Sequence, residues 1–199
     1  FRLVSIDRRN VISPVFQIIP VCAIELALPD ISVANIEPDQ VSYVRKLYKE
    51  LVHELYALPE ARQAFLKHWT EKDLSEACGK TDKAILIAST PELPVAGLFF
   101  GGVPEGGVGT VIWFGVDQRC RGRSVGHVLL DSIEQFYSGL GAHKIKLFCN
   151  TSEARQFYEK SGYTVEGFHP GHWWQIDCWS MGKAIPMVNG DIIRPDNDQ

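Results

Sequence analysis

Apolar residues along the chain recur with two different periods, and the switch between them marks out the elements. Val41, Val44, Leu47, Tyr48, Leu51, Val52 and Leu55 repeat at helical spacing after Pro38-Asp-Gln, which predicts an amphipathic helix. A broken helical stretch follows over 59–78, anchored by Phe65, Leu66 and Trp69 and stopped at Gly79. From Lys83 the pattern becomes that of strands: 84–89, a Pro-Glu-Leu-Pro turn and 95–102 read as an antiparallel pair, with 109–116 as the next strand of a meander. Val125, Val128, Leu129, Ile133, Phe136, Tyr137 and Leu140 return to one helical face that ends near the glycines at 139–141. A strand over 144–149, a helix over 152–161 closed by Gly162, and strands over 163–168 and 176–181 complete the order. Ahead of these lie a short strand at 31–35 and, over 1–30, one or two strands or an extended arm. The polar tail 186–199 reads as loose or wrapped over the surface. Strands and helices mixed in this order predict an α/β domain over 31–185 between an N-terminal arm and a C-terminal tail.

Composition narrows the class of protein without naming its task. A chain of 199 residues suits one domain. A hydrophobic fraction of 45 % with 22 % charged residues is that of a soluble globular protein. The apolar run 11–29 is interrupted by Pro14, Gln17, Pro20 and Glu25, so it reads as neither signal peptide nor bilayer span. Five scattered cysteines without a Cys-x-x-Cys pair read as reduced thiols of a cytoplasmic protein. His169, His172 and Asp177 lack a ligand repeat, so no metal is expected. The net charge of −4 gives no general bias toward nucleic acid, and a local basic cluster therefore needs a local explanation.

That cluster is Arg119-Cys-Arg-Gly-Arg-Ser-Val-Gly-His-Val-Leu-Leu. A strand ending at Val116, a short loop and a helix entered through Gly122 and Gly126 place unpaired N–H groups at a helix N-terminus, which is an anion site. Arg121 and Arg123 add charge suited to phosphate oxygens. Gly126 lets a ligand or the neighbouring strand approach the first turn. A nucleotide P-loop fits poorly, because His127 stands where Lys-Ser/Thr is needed. A dinucleotide fingerprint fails as well, having neither the glycine spacing nor the later acid. A solvated basic turn before a core helix stays open on this stretch alone.

Read with its flanks, the stretch from Val116-Asp through Arg121-Gly-Arg-Ser-Val-Gly126 resembles motif A of the GNAT N-acetyltransferase superfamily. Asn150-Thr-Ser-Glu-Ala-Arg-Gln-Phe-Tyr158-Glu-Lys-Ser-Gly162-Tyr163 is similar to that superfamily's Ala-x-x-x-Tyr-Glu-Lys-x-Gly-Phe helix. The resemblance spans about 31–185 and is strong from Val108 onward. It implies a mixed, mostly antiparallel central sheet with helices on both faces and a splayed parallel strand pair, 109–116 beside 144–149. It also implies acetyl-CoA as co-substrate, its pyrophosphate on the N–H groups of Arg121, Gly122, Arg123, Ser124, Val125 and Gly126. The pantetheine arm would run beside Phe114 and Val116, near Asn150. Tyr158 stands where the family's thiolate-protonating tyrosine stands, and the backbone N–H of Val116 is the implied donor to the thioester carbonyl. The bland alternative for Tyr158 is a core tyrosine.

Two positions depart from the pattern. Ser124 replaces the common central glycine, which suits a residue of negative φ that offers only its N–H. Thr151 fills the slot of the usual pantetheine-contacting asparagine, Asn150 lying one position earlier. No carboxylate stands on the strand 109–116, so the general base is open among Glu105, His169, His172 and Asp177, while a water chain or an amine already partly neutral would need none of them. Trp113, Phe114, Trp173 and Trp174 read either as an aromatic wall for the acceptor or as plain core. The expected acceptor is a small-molecule or peptide amine, with no nucleic acid or membrane partner and with room for a homodimer. The rival reading is a GNAT-like module that binds CoA without turnover.

Overall fold

The computed structural model describes residues 30–80 and 83–186. The arm expected over the first 29 residues, and the tail from 187, lie outside them. Seven strands form one sheet: β1 (Ser32–Asn35), β2 (Lys83–Thr90), β3 (Leu93–Gly102), β4 (Val108–Val116), β5 (Lys144–Cys149), β6 (Thr164–Trp173) and β7 (Ile176–Ala184). Their order is β1-β2-β3-β4-β5-β7-β6, antiparallel throughout except for the parallel pair β4 and β5. The helices are α1 (Val41–Leu55), α2 (Pro59–Leu66), α3 (Glu71–Ala77), α4 (Val125–Gly139) and α5 (Ser152–Lys160).

Two apolar clusters sandwich the sheet. On one face α1, α2 and α3 close over Ile85, Leu98, Phe100 and Trp113. On the other, α4 and α5 close over Ala96, Phe99, Val111, Ile145 and Leu147. The expected mixed sheet with helices on both faces is therefore present. The helix expected to start at Pro38 begins as a short 3₁₀ turn, Pro38–Gln40, before α1. The final strands run further than their periodicity shows: β6 continues through Pro170 and Gly171 to Trp173, with a register shift between His169 and Trp173.

Inside this frame β4 and β5 pair only at Val108↔Lys144, Gly109↔Ile145 and Thr110↔Lys146. β4 runs on to Val116 and β5 to Cys149 without pairing to each other. The parting has a local cause in β4. Phe100 stands opposite Trp113 and Gly101 opposite Val111, so Ile112 is the extra residue of a bulge. Bulges bend a strand and raise its twist. This one also resets the alternation of side chains: Val111 packs with the α4 side, whereas Trp113 packs with the α1 side. Ile112 is left 52 % exposed in a central strand.

Candidate functional site

The open edge of β4 offers backbone hydrogen-bonding groups. Asp117 donates its N–H to Ala96 O at 2.9 Å, so Asp117 and Ala96 form a hydrogen-bonded pair. Val116↔Gly97 and Phe114↔Phe99 are then the alternate, non-bonded pairs of an antiparallel ladder. The N–H and C=O groups of Val116 and Phe114 consequently point away from β3, into the gap beside β5. Val116 O accepts from Arg121 Nε at 3.1 Å.

Beyond Val116 the chain turns into α4 through a loop tied down by its own side chains. Asp117, 5 % exposed, accepts from Arg119 N and Nε at 2.9 Å each and from an Arg119 terminal nitrogen at 2.7 Å. Arg121 makes a two-pronged ion pair with Glu54 of α1, at 2.6 and 2.7 Å. Two of the three arginines are thus already partnered, and the positive character of the loop comes from Arg123 and the free N–H groups opening α4. Gly122 at φ +73° and Ser124 at φ +63° bracket Arg123. Left-handed residues alternating with ordinary ones turn successive N–H groups toward a common concavity.

Ser124 therefore departs from the expectation of negative φ. It sits in the left-handed region without a side-chain capping bond. Ser124→Gly is expected to raise thermal stability by roughly 1 kcal/mol: relief of the left-handed strain outweighs the added freedom of the unfolded chain. Thermal melts with and without CoA check it, and a lower melting temperature would show that the serine side chain has a use of its own.

The hydrogen bonds to Asp117 and Glu54 also set an acid limit. Arg119 and Arg121 respectively, through hydrogen bonds first, hold these carboxyls below their ordinary values of 3.8 and 4.5. A folded pKa lowered in this way adds stability that is present above the unfolded pKa and lost as pH falls through the folded one. The stability gap between wild type and Asp117→Asn should be full at pH 7 and close below about pH 4. Melts across that range check it, and a gap unchanged at pH 3 would contradict it.

The third wall is α5. Thr151 caps it, accepting from Ala154 N at 3.1 Å, so the residue in the usual asparagine slot is spent on the helix, while Asn150 stays half-buried at the mouth of the gap. Tyr158 is buried against Phe114 (ring centroids 5.9 Å) and Tyr163 (5.6 Å). Burial first, and the neighbouring Cys149 second, push its hydroxyl far above the usual tyrosine range, so the proton is held at neutral pH. Its hydroxyl has no hydrogen-bond partner among the described residues. A Cβ on Gly126 would stand 3.4 Å from the Phe157 ring and 3.6 Å from Val116 Cγ2, so that glycine is where α4, β4 and α5 close in. Phe157, which stacks on Phe114 at 5.7 Å and lies 5.0 Å from the His127 ring, carries no sequence signal of its role.

Of the carboxylate and imidazole candidates, Glu105 lies before the start of β4, bridged to Val108 and away from the splayed end. Asp177 Oδ1 accepts Gly171 N at 2.8 Å. The imidazoles of His169 and His172 lie 5.3 Å apart. Trp113 is core, edge-on to Tyr48 (4.9 Å) and Phe65 (5.5 Å), on the sheet face opposite Phe114. The four aromatics therefore do not form one wall. Trp173 and Trp174 stand exposed at the β6–β7 turn, where Trp174 and Gln175 both have positive φ. Among the described residues no three His, Cys, Asp or Glu side chains could hold a metal ion, and no helix is long and apolar enough to cross a membrane.

Comparison with known proteins gives a consistent picture of the fold. Residues 45–163 match the model of the Acetyltransferase (GNAT) family. A GNAT-family acetyltransferase from Streptococcus pneumoniae superposes with a TM-score of 0.62 at 18 % identity, covering 79 % of this chain and 100 % of that one. The ribosomal-protein-S18-alanine N-acetyltransferase of Escherichia coli gives 0.61 at 15 % identity, covering 82 % and 99 %. The PaiA N-acetyltransferase of Thermoplasma acidophilum, solved in complex with coenzyme A, gives 0.65 at 14 % identity, covering 77 % and 98 %. No curated protein sequence matches the chain.

Proposed function

The chain belongs to the GNAT acetyltransferase family, and from that premise we propose that it moves an acetyl group directly from acetyl-CoA to an amine. The observation that carries this is the unpaired edge of β4, which opens onto the N-terminus of α4 at one end and onto Tyr158 along its side. Coenzyme A fits that arrangement. Its pyrophosphate would lie on the N–H groups from Gly122 to Gly126, that of Arg121 being given to Gln118 O at 3.3 Å, with Arg123 as the loop arginine that has no ion-pair partner among the described residues, and its pantetheine amides would pair with the outward backbone groups of Phe114 and Val116. The CoA-bound structure of the Thermoplasma PaiA enzyme supports the choice of ligand.

The chemistry follows from those groups. The neutral amine attacks the thioester carbonyl, whose oxygen gains charge and is stabilised by the Val116 N–H. As the C–N bond forms and the C–S bond breaks, the leaving thiolate takes the Tyr158 proton. Tyr158 is reloaded by the proton that the nitrogen sheds. Burial keeps Tyr158 protonated at neutral pH, so the proton is in place when the thiolate forms beside it.

Incubating the protein with acetyl-CoA and a mixed amine library, then weighing the products, tests the proposal. The expected result is at least one amine heavier by one acetyl group, with free CoA in equal amount. CoA bound but no acetylated amine would instead support a module that holds the cofactor without turnover.

A further inference from the structure

The acyltransferase reading leaves the acceptor's own proton without a taker, since a protonated amine cannot attack and β4 carries no carboxylate. The structure offers a base in a place no sequence periodicity marks. On β5, the residues past its pairing with β4 divide between the two sheet faces: Leu147 and Cys149 join the α4–α5 core, which leaves Phe148 on the opposite face, 38 % exposed. The ring of His172 stacks on Phe148 with centroids 5.1 Å apart and planes 13° apart. His172 belongs to β6, which is separated from β5 by β7. It reaches back because Pro170-Gly171-His172 falls in the register shift between His169 and Trp173, with Gly171 at φ +58° and its N–H held by Asp177. A bulge of this kind re-aims a side chain.

Resting on the acyl-transfer reading above, we infer that His172 is the general base, receiving the proton of the acceptor ammonium on the sheet face opposite Tyr158. Asp177 is a positioning residue, acting through the Gly171 N–H. The ammonium gives one proton to the His172 imidazole and attacks as the free amine; the second nitrogen proton is shed as the C–S bond breaks and replaces the one Tyr158 gives to the thiolate. His172 then releases its proton to solvent, so that ammonium and thioester become amide, thiol and one proton. Among the described residues, several groups that titrate or carry charge stand around His172. His169 lies beside it and shares Nε2 with Ser180 Oγ at 3.0 Å. Asp177 and Cys178 stand on β7, Lys146 stands two residues before Phe148 on β5, and Tyr56 faces Cys178 from the end of α1. His172 itself has no hydrogen-bond partner among the described residues.

The test is the pH dependence of kcat/KM for an accepted amine, compared between wild type and His172→Gln. Wild type is expected to show kcat/KM rising with pH along an ascending limb, as a base that must lose its proton requires. His172→Gln should lose that limb together with roughly 10²-fold or more of kcat/KM, while keeping its acetyl-CoA affinity and melting temperature. Added imidazole should restore part of the rate to His172→Gly. The assignment is overturned if the limb persists in His172→Gln, if the loss lies in KM alone, or if His169→Gln and not His172→Gln removes the limb. Wild type turning over no amine at all would instead sink the acyltransferase reading, and this inference with it.

Discussion

Tyr158→Phe is expected to lower amine-dependent CoA release by about 10²- to 10⁴-fold while leaving acetyl-CoA affinity and thermal stability nearly intact. Phenylalanine keeps the ring packing on Phe114 and Tyr163. The lost hydroxyl has no partner among the described residues, so its removal orphans no buried group. What disappears is the tyrosine proton set against Phe114 on the open edge of β4. Thiol release with acetyl-CoA and a chosen amine, beside a binding titration, separates the two effects. A loss of less than about tenfold would mean that solvent protonates the thiolate and that Tyr158 is merely core.

Trp113→Ala should behave in the opposite way, failing in stability first. Trp113 is packed by Tyr48, Tyr56 and Phe65 on the α1 side of the sheet, and removing a buried tryptophan of this kind costs about 3–5 kcal/mol. Urea unfolding is expected to show that loss, while Trp113→Phe retains most of both stability and turnover. A Trp113→Ala protein as stable as wild type but inactive would return this residue to the acceptor wall.

Trp113 marks the boundary between what the sequence makes legible and what it hides. Periodicity located the helices and most strands, because each buries one face against the sheet and a buried face repeats on the element's own period. The loop before α4 was legible for a different reason: a helix N-terminus entered through glycines is a local device, complete within a dozen residues. The bulge at Ile112 was not legible. Alternation in Val-Ile-Trp-Phe-Gly reads as an ordinary strand, yet one extra residue sends Val111 and Trp113 to opposite layers. The bulge also coincides with the parting of β4 from β5, so the feature that opens the site is the one that periodicity hides. Arg121 looked available to phosphate because Glu54, 67 positions away in the chain, could not be placed beside it. In the sequence His172 is one of several equivalent candidates, because nothing local shows that β6 runs on past Pro170 and brings the imidazole back over β7 onto Phe148. Ser124 is the instructive case among the loop residues, since its left-handed backbone explains why glycine is common there and why serine carries strain.

The proposed acetyl transfer requires that the open edge of β4 and the start of α4 hold coenzyme A. Titrating nitrogen-labelled protein with CoA, while following its backbone amides, tests that binding most directly. The amides of Phe114, Val116 and the run from Arg121 to Gly126 should shift together and saturate along one binding curve. Shifts confined to other surfaces, or none at millimolar CoA, would contradict it.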